Sequence, residues 1–321
     1  MQILALFITM AGNSNMRVAT YRFYAIIPAT MTKLETAHKN FIKHLETEGR
    51  SPSTLVAYGK DIEQLVDYLS KRGVNEVKDI KLVLLEDYMG KLLKENYTAK
   101  SISRKTNSTK TFFKFLQTKG DLTDNVADQL KHPKVEVKAP RILSKMEYRA
   151  LRDAAKEDIR TSAIIELLLQ TGITISELAD IKLEHLDMTK EPGSLFIPKK
   201  NAKESRTIPL NKAAMESVKK YIEKERPEIE RAEHLFITKT GKALLVRNIR
   251  STIERFYKAA GVENAKVNDL RHTFVAHHLA QGTSMLQVSK IAGHKRISTT
   301  ERYLQYIDKE VDEEKTELGI L

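Results

Sequence analysis

The sequence predicts a mainly α-helical protein of two domains, the second of which includes a small antiparallel β-sheet. Apolar residues recur at helical spacing from about residue 34 to residue 130. A segment with two prolines follows at 131–142, and two short β-like runs lie further on, separated by a polar turn. We therefore expect a helical bundle at 31–130, a linker at 131–142 and an α+β domain at 143–310. A disordered extension at 1–30 and a tail at 311–321 complete the predicted organisation.

The N-terminal extension contains an apolar run of nine residues at 3–11, which is too short to span a bilayer. Two uncharged residues precede this run, whereas a secretory signal needs a basic segment there. The sequence contains no cysteine, which excludes a disulfide scaffold and a thiolate metal site and suits a reducing compartment. We expect a cytoplasmic protein without a membrane anchor.

The first domain is predicted to contain four amphipathic helices joined by short loops. An apolar stripe through Phe41 marks the first helix, and Pro52 is placed to begin the second. Further apolar stripes span 82–93 and 101–116. Helices of this length with short connections are typical of a small bundle.

The fourth helix carries a strongly one-signed charge pattern. No acidic residue lies between Glu95 and Asp121, and the protein as a whole has a net charge of +12. The basic residues of this stretch are Lys100, Arg104, Lys105, Lys110, Lys114 and Lys119. A helix with one apolar face and one basic face suits a DNA backbone, and the alternative is a solvated charged face. We predict DNA contacts from Lys100, Arg104, Lys105, Lys110 and Lys114.

The second domain begins with a capping-box pattern at Ser144 and Glu147. A strongly apolar helix at 161–170 is predicted to end at Gly172. Two short strands are predicted at 194–198 and 206–210. The remaining helices are expected at about 212–225, 246–260, 267–281, 285–292 and 299–306.

Residues suited to phosphoryl transfer are concentrated near the C-terminus. Asn268 and Arg271 share a helix face, His294 follows a predicted helix end, and Tyr303 comes nine residues later. A guanidinium can bind the oxygens of an anionic phosphodiester, and a tyrosine hydroxyl can attack its phosphorus if neighbouring groups favour the phenolate. Taken alone, the same residues also fit ordinary structural roles on amphipathic helices.

Several ordered segments together resemble the tyrosine recombinases of the phage integrase and Xer type. Residues 270–274 (LRHTF), 292–294 (AGH) and 297–303 (ISTTERY) resemble the C-terminal boxes of this family. Residues 169–172 (LQTG) with 175–178 (ISEL) resemble its first box, and 205–210 (SRTIPL) resembles the strand after its hairpin lysine. The resemblance covers about residues 34–310, with a SAM-like core-binding domain followed by the catalytic domain.

The resemblance implies a mechanism and a partner. Tyr303 would attack a phosphodiester of double-stranded DNA and form a 3′-phosphotyrosyl link, Arg271 and His294 would bind the scissile phosphate, and a hairpin lysine would protonate the leaving 5′ oxygen. Four protomers would assemble on paired DNA sites, with the C-terminal tail docking on a neighbour. No metal or other cofactor would be required. Lys203 and Arg206 would add DNA contacts.

Two positions depart from the family pattern, and a third is ambiguous. Thr174 occupies the position of the first-box arginine, and Asn268 occupies the position of the second-box histidine. Both residues are still predicted to belong to the active site. The hairpin lysine is ambiguous, with Lys200 favoured and Lys203 second. Arg160 is a candidate for replacing the absent first-box charge, and an ordinary residue on a helix surface is the favoured interpretation of it.

Three functions remain open from the sequence. The favoured function is site-specific DNA recombination or integration through Tyr303, with Tyr306 as a less favoured nucleophile. The alternative is a catalytically weakened relative that binds DNA as an accessory or architectural protein. A helix-turn-helix regulator is the weakest interpretation, because it leaves the ordered C-terminal boxes unexplained.

Overall fold

The computed structural model describes residues 32–136, 138–200 and 204–307, and it divides into two compact units. The units are Met1–Val135 and Glu136–Leu321, so their boundary lies within the segment predicted to be a linker. The predicted extension at 1–30 and tail at 311–321 lie outside the described residues. No helix in the described ranges is both long enough and apolar enough to cross a membrane.

The described part of the first unit contains four α-helices around a core of aliphatic and aromatic side chains. They are α1 (Leu34–Thr47), α2 (Pro52–Ser70), α3 (Leu82–Lys94) and α4 (Ala99–Lys119). Ser51 caps α2 by accepting a hydrogen bond from the Thr54 amide, and Gly120 ends α4 in the left-handed conformation. Phe41 of α1 packs edge-on against Phe112 of α4, with ring centroids 5.2 Å apart. The predicted apolar face of α4 is therefore the face that holds the bundle together.

The basic residues of α4 do not all lie on its exposed face. Lys105 is 3% exposed, and its ammonium donates to the carboxylate of buried Asp61 at 2.9 Å. Asp61 also accepts from Ser108 at 3.0 Å and from Arg104. The prediction of Lys105 as a DNA contact is therefore wrong, because its charge is used inside the bundle to neutralise Asp61.

The second unit surrounds a central helix with further helices and a three-stranded sheet. Its helices are α5 (Lys145–Ala155), α6 (Ile159–Thr171), α7 (Ile175–Ala179), α8 (Lys212–Lys224), α9 (Val246–Ala259), α10 (Val267–Ala280), α11 (Met285–Ala292) and α12 (Ser298–Glu301). Its strands are β1 (Leu186–Asp187), β2 (Gly193–Ile197) and β3 (Arg206–Leu210), in the order β1-β2-β3 with both pairs antiparallel. Apolar α6 packs against α8, α10 and β3, so it forms the centre of this unit.

The segment that carries Tyr303 is shorter than the predicted helix at 299–306. Helix α12 ends at Glu301, and a 3₁₀ turn continues over Arg302–Gln305. Thr300 of α12 and Tyr303 of the turn are both buried and lie three residues apart, a spacing that puts the two side chains on the same side of the segment.

The Asp61–Lys105 pair should be important for the stability of the first unit. Asp61→Asn leaves the buried Lys105 ammonium without a counter-charge, which we expect to lower the opening free energy of α4 amides by about 3 kcal/mol. Hydrogen exchange on the full chain measures this quantity. Asp67→Asn is the matched control on α2, because its exposed pair with Lys71 should contribute little. Equal effects of the two substitutions would contradict the prediction.

Candidate active site

Helix α10 brings Arg271 against the end of α6. Arg271 is 8% exposed and donates from Nη1 to the carbonyl of Gly172 at 2.5 Å. Gly172 has a φ of +61°, and a Cβ at this position would meet the ring of Phe274 at 2.2 Å. Only glycine fits this turn, and its close approach to α10 places the first box beside Arg271.

Tyr303 contacts the imidazole rings of two histidines. Its hydroxyl lies 2.5 Å from Nδ1 of His272, and its ring is nearly parallel to that of His294, with centroids 6.5 Å apart. Tyr303 is 4% exposed. The structure therefore brings together the predicted Tyr303, Arg271 and His294, which are separated by up to 32 positions in the chain.

Burial and neighbouring charges act on Tyr303 in opposite directions. Burial raises the pKa of the Tyr303 phenol, while the positive charges of Arg271 and Arg302 lower the same pKa. Burial also lowers the pKa of the Arg271 guanidinium, an effect that Glu177 opposes. Tyr303 is therefore a neutral phenol near pH 7 in this structure, with two cations placed to favour its ionisation.

The loop that carries His294 is fixed by its neighbours in sequence and by β3. Nδ1 of His294 lies 2.6 Å from the hydroxyl of Thr300. Gly293 ends α11 with a φ of +68°, and a Cβ there would lie 2.7 Å from the guanidinium carbon of Arg206. Arg206 therefore packs directly beneath the residue that precedes His294.

Glu177 joins the first box to β3 and α11. Thr174 caps α7, and its amide and hydroxyl donate to Oε2 of Glu177 at 2.8 and 2.9 Å. Arg206 donates from Nη1 to Oε1 of Glu177 at 3.0 Å and from Nε to the carbonyl of Ile291 at 2.8 Å. The side chain of Arg206 is 10% exposed, and its charge is paired within the domain. Its role as a DNA contact stays a prediction.

The remaining predicted site residues have different surroundings. Lys200 forms an ion pair with Asp180, directly after α7, and its side chain is 57% exposed. Lys203 lies outside the described residues.

Asn268 contacts Nε2 of His272 through its amide nitrogen, at 2.7 Å. Arg160 donates to the carbonyl of Ile237 at 3.4 Å and lines a separate cavity, so this contact gives no support for Arg160 as the replacement charge.

Sequence reasoning did not assign roles to His272 and Glu177. The signal for Glu177 was available, because Thr174 and Glu177 have the spacing of a capping box. His272 lies one turn after Asn268, but its contact with Tyr303 joins residues 31 positions apart. Local periodicity does not contain that information.

Comparison with known proteins gives a consistent result over most of the chain. The model of the phage integrase family matches residues 141–310, and that of the phage integrase N-terminal SAM-like domain matches residues 39–120. The chain belongs to the phage integrase family. Tyrosine recombinase XerC of Staphylococcus epidermidis is 31% identical over 281 residues, which cover 84% of this chain and 92% of that protein. XerC of Corynebacterium glutamicum is 28% identical, covering 87% and 90% of the two chains.

Solved structures of integrase-family proteins share the fold. A lambda integrase tetramer bound to a Holliday junction matches with a TM-score of 0.68 and 20% identity, covering 87% of this chain and 78% of that one. XerH site-specific recombinase bound to palindromic difH substrate, in a post-cleavage complex, matches with a TM-score of 0.68 and 17% identity, covering 88% and 83%. The predicted tyrosine-recombinase family, fold class and activity class of site-specific DNA recombination are confirmed.

Proposed function

We propose that the chain cleaves and rejoins duplex DNA through Tyr303. The observation that carries this proposal is the Tyr303 hydroxyl, held 2.5 Å from His272 in one cluster with Arg271 and His294. The phenol oxygen forms a bond to phosphorus as the bond from phosphorus to the 5′ oxygen breaks. The phenol proton is lost to solvent, and the departing 5′ oxygen takes a proton from a general acid. The reverse sequence rejoins the strand.

Arg271 and His294 supply positive charge and hydrogen bonds to the phosphate. A guanidinium has five N–H donors, and in the described ranges Arg271 donates one hydrogen bond, to the Gly172 carbonyl. The rest of its donor capacity suits the non-bridging oxygens, where negative charge develops during attack. His294 is fixed by Thr300 beside the ring of Tyr303 and donates to the same phosphate.

Lys200 is our choice as the general acid for the leaving oxygen. Lys200 follows β2 in the chain, and its ammonium group forms an ion pair with the carboxylate of Asp180. Asp180 directly follows α7, the helix of the first box. An ammonium group on a flexible stem can deliver a proton while remaining partly exposed. Lys203 is the second choice for this role.

The exposed side of α4 is our proposed DNA-binding face of the first unit. Three basic residues of α4 are exposed: Lys100, Arg104 and Lys114. Arg104 comes four residues after Lys100, and Lys114 comes ten residues after Arg104. Lys110 is half-buried and donates to the carbonyl of Asp128 at 3.1 Å, so it stands at the margin of this face. Contacts of this kind position a protein on the DNA backbone without selecting a sequence.

Assembly of four copies on two DNA sites is the proposed working state. Lambda integrase has been solved as a tetramer bound to a Holliday junction, and the fold described here resembles it. Exchange of strands between two duplexes needs four cleavages, which one tyrosine per protomer supplies. The proposed docking of the C-terminal tail on a neighbour concerns residues outside the described ranges.

Thr174 is the observation that favours a second function. Its hydroxyl is used to cap α7 and to bind Glu177, and a threonine carries no charge to place on a phosphate. A chain that binds DNA but cleaves it weakly would act as an accessory protein. A nicked suicide substrate distinguishes the two functions, because a cleaved strand remains covalently attached to the enzyme.

Tyr303→Phe should abolish covalent attachment to a nicked suicide duplex, because the attacking oxygen is removed while the ring keeps its packing. Denaturing gel electrophoresis measures the protein–DNA adduct. Tyr306→Phe is the control, since Tyr306 is 38% exposed and should be dispensable for attack. Tight DNA binding by the unaltered chain without any adduct would support the accessory function instead.

Thr174→Arg should increase the rate of adduct formation by roughly tenfold or more, because a preorganised donor to the transition-state charge typically contributes about 10²–10³ in rate. The expected gain is reduced by loss of the helix cap. Thr174→Gln loses the same cap without adding charge and should show no gain. If both variants behave alike, position 174 does not face the phosphate.

A further inference from the structure

His272 lies beside Tyr303, and both nitrogens of its imidazole ring are in hydrogen-bond contact. Nε2 contacts the amide of Asn268, and Nδ1 contacts the hydroxyl of Tyr303. We propose that His272, oriented by Asn268, donates a hydrogen bond from Nδ1 to the Tyr303 oxygen and stabilises that oxygen as it becomes negatively charged. This inference rests on the proposed role of Tyr303 as nucleophile. It assigns His272 a catalytic role and Asn268 a positioning role.

The contact with Asn268 determines which nitrogen of His272 carries the proton. The amide nitrogen of Asn268 lies 2.7 Å from Nε2 of His272, and an amide nitrogen only donates. In the proposed arrangement Nε2 therefore accepts, and a neutral imidazole carries its proton on Nδ1. Nδ1 then donates to the Tyr303 oxygen at 2.5 Å.

The surroundings of His272 keep its imidazole neutral. Burial lowers its pKa, and the positive charges of Arg271 and Arg302 lower it further, while the carboxylate of Asp269 opposes them. A folded-state pKa below the usual value means that the neutral ring is present at pH 7 and is lost only as the pH falls. The donor tautomer is therefore the working form at neutral pH.

A hydrogen bond from Nδ1 acts on the step that Tyr303 must make. Burial raises the pKa of the Tyr303 phenol, so the phenolate needs compensation from nearby donors and cations. The Nδ1–H group provides a donor to the oxygen itself, and its proton stays on His272 throughout. The phenol proton leaves to solvent as in the proposed mechanism, and His272 undergoes no net change.

In this arrangement, Asn268 orients the imidazole ring of His272. It lies four residues before His272 on α10, so the two side chains meet on one face of the helix. An amide cannot act as an acid or base near neutral pH, yet it can fix the ring orientation and the tautomer of its neighbour. The substitution noted at position 268 is thus compatible with an active site that uses His272.

Nitrogen-15 NMR of the histidine rings in the full chain tests the tautomer without requiring activity. We expect the His272 signals, assigned by their loss in His272→Gln, to show a protonated Nδ1 and an unprotonated Nε2 at pH 8. Asn268→Leu should reduce this preference. A protonated Nε2 in the unaltered chain would overturn the proposal, because Nδ1 would then accept from the phenol.

Single-turnover cleavage of the nicked suicide duplex tests the catalytic consequence. His272→Leu should slow adduct formation about 100-fold, within the roughly 10²–10³ typical for loss of one preorganised donor. The midpoint of the rate against pH should move to higher pH, because the phenolate has lost a donor. His272→Gln retains an N–H donor and should recover part of the rate.

His278→Leu is the matched control, since His278 is on the same helix and packs on Phe274. It should leave the rate and its pH profile unchanged, and DNA affinity should stay the same in all three histidine variants. An unchanged profile in His272→Leu, or a rate loss that only follows lost DNA affinity, would overturn the proposal.

If Tyr303→Phe still abolishes the adduct, the proposed function survives that result. If the unaltered chain forms no adduct, the proposed function fails, and the tautomer measurement still tests the hydrogen-bond arrangement.

Discussion

The ion pair between Glu177 and Arg206 fixes the frame around the candidate active site. Its two side chains are 8% and 10% exposed, and the joined atoms lie 3.0 Å apart. Through this pair and the further hydrogen bonds of its members, α7, β3 and the end of α11 are held in one arrangement. Removing one partner of a buried ion pair typically costs about 3–5 kcal/mol. The position of His294, two residues after the end of α11, follows from that frame.

The groups proposed to react lie beside this frame and are positioned by other elements. Arg271 is held by a carbonyl of the α6 terminus, and Tyr303 is held by a turn that follows a four-residue helix. This division of roles is physically reasonable, because a guanidinium saturated by a carboxylate could not also bind a phosphate. The carboxylate of Glu177 instead binds Arg206 and Thr174, while its charge still favours the cationic form of Arg271.

Much of this arrangement could be predicted from local patterns, because helix ends and apolar faces are encoded by nearby residues. Gly172 ends α6 as expected, and the apolar face of α4 is the one predicted. The errors concern charges whose partners are distant in sequence. Lys105 has the same helical spacing as a solvent-facing lysine, but Asp61, 44 positions earlier, draws it into the bundle. Arg206 is likewise buried by Glu177, and the role of His272 depends on a contact formed only in the fold.

The central claim is that the buried Tyr303 oxygen, rather than an exposed hydroxyl, forms the bond to DNA. Tandem mass spectrometry of the protease-digested adduct tests it most directly, since it locates the nucleotide on one residue of the 302–307 segment. We expect the modification on Tyr303 alone, attached through a 3′ phosphate. A modification on Tyr306, or on a residue outside this segment, would contradict the account.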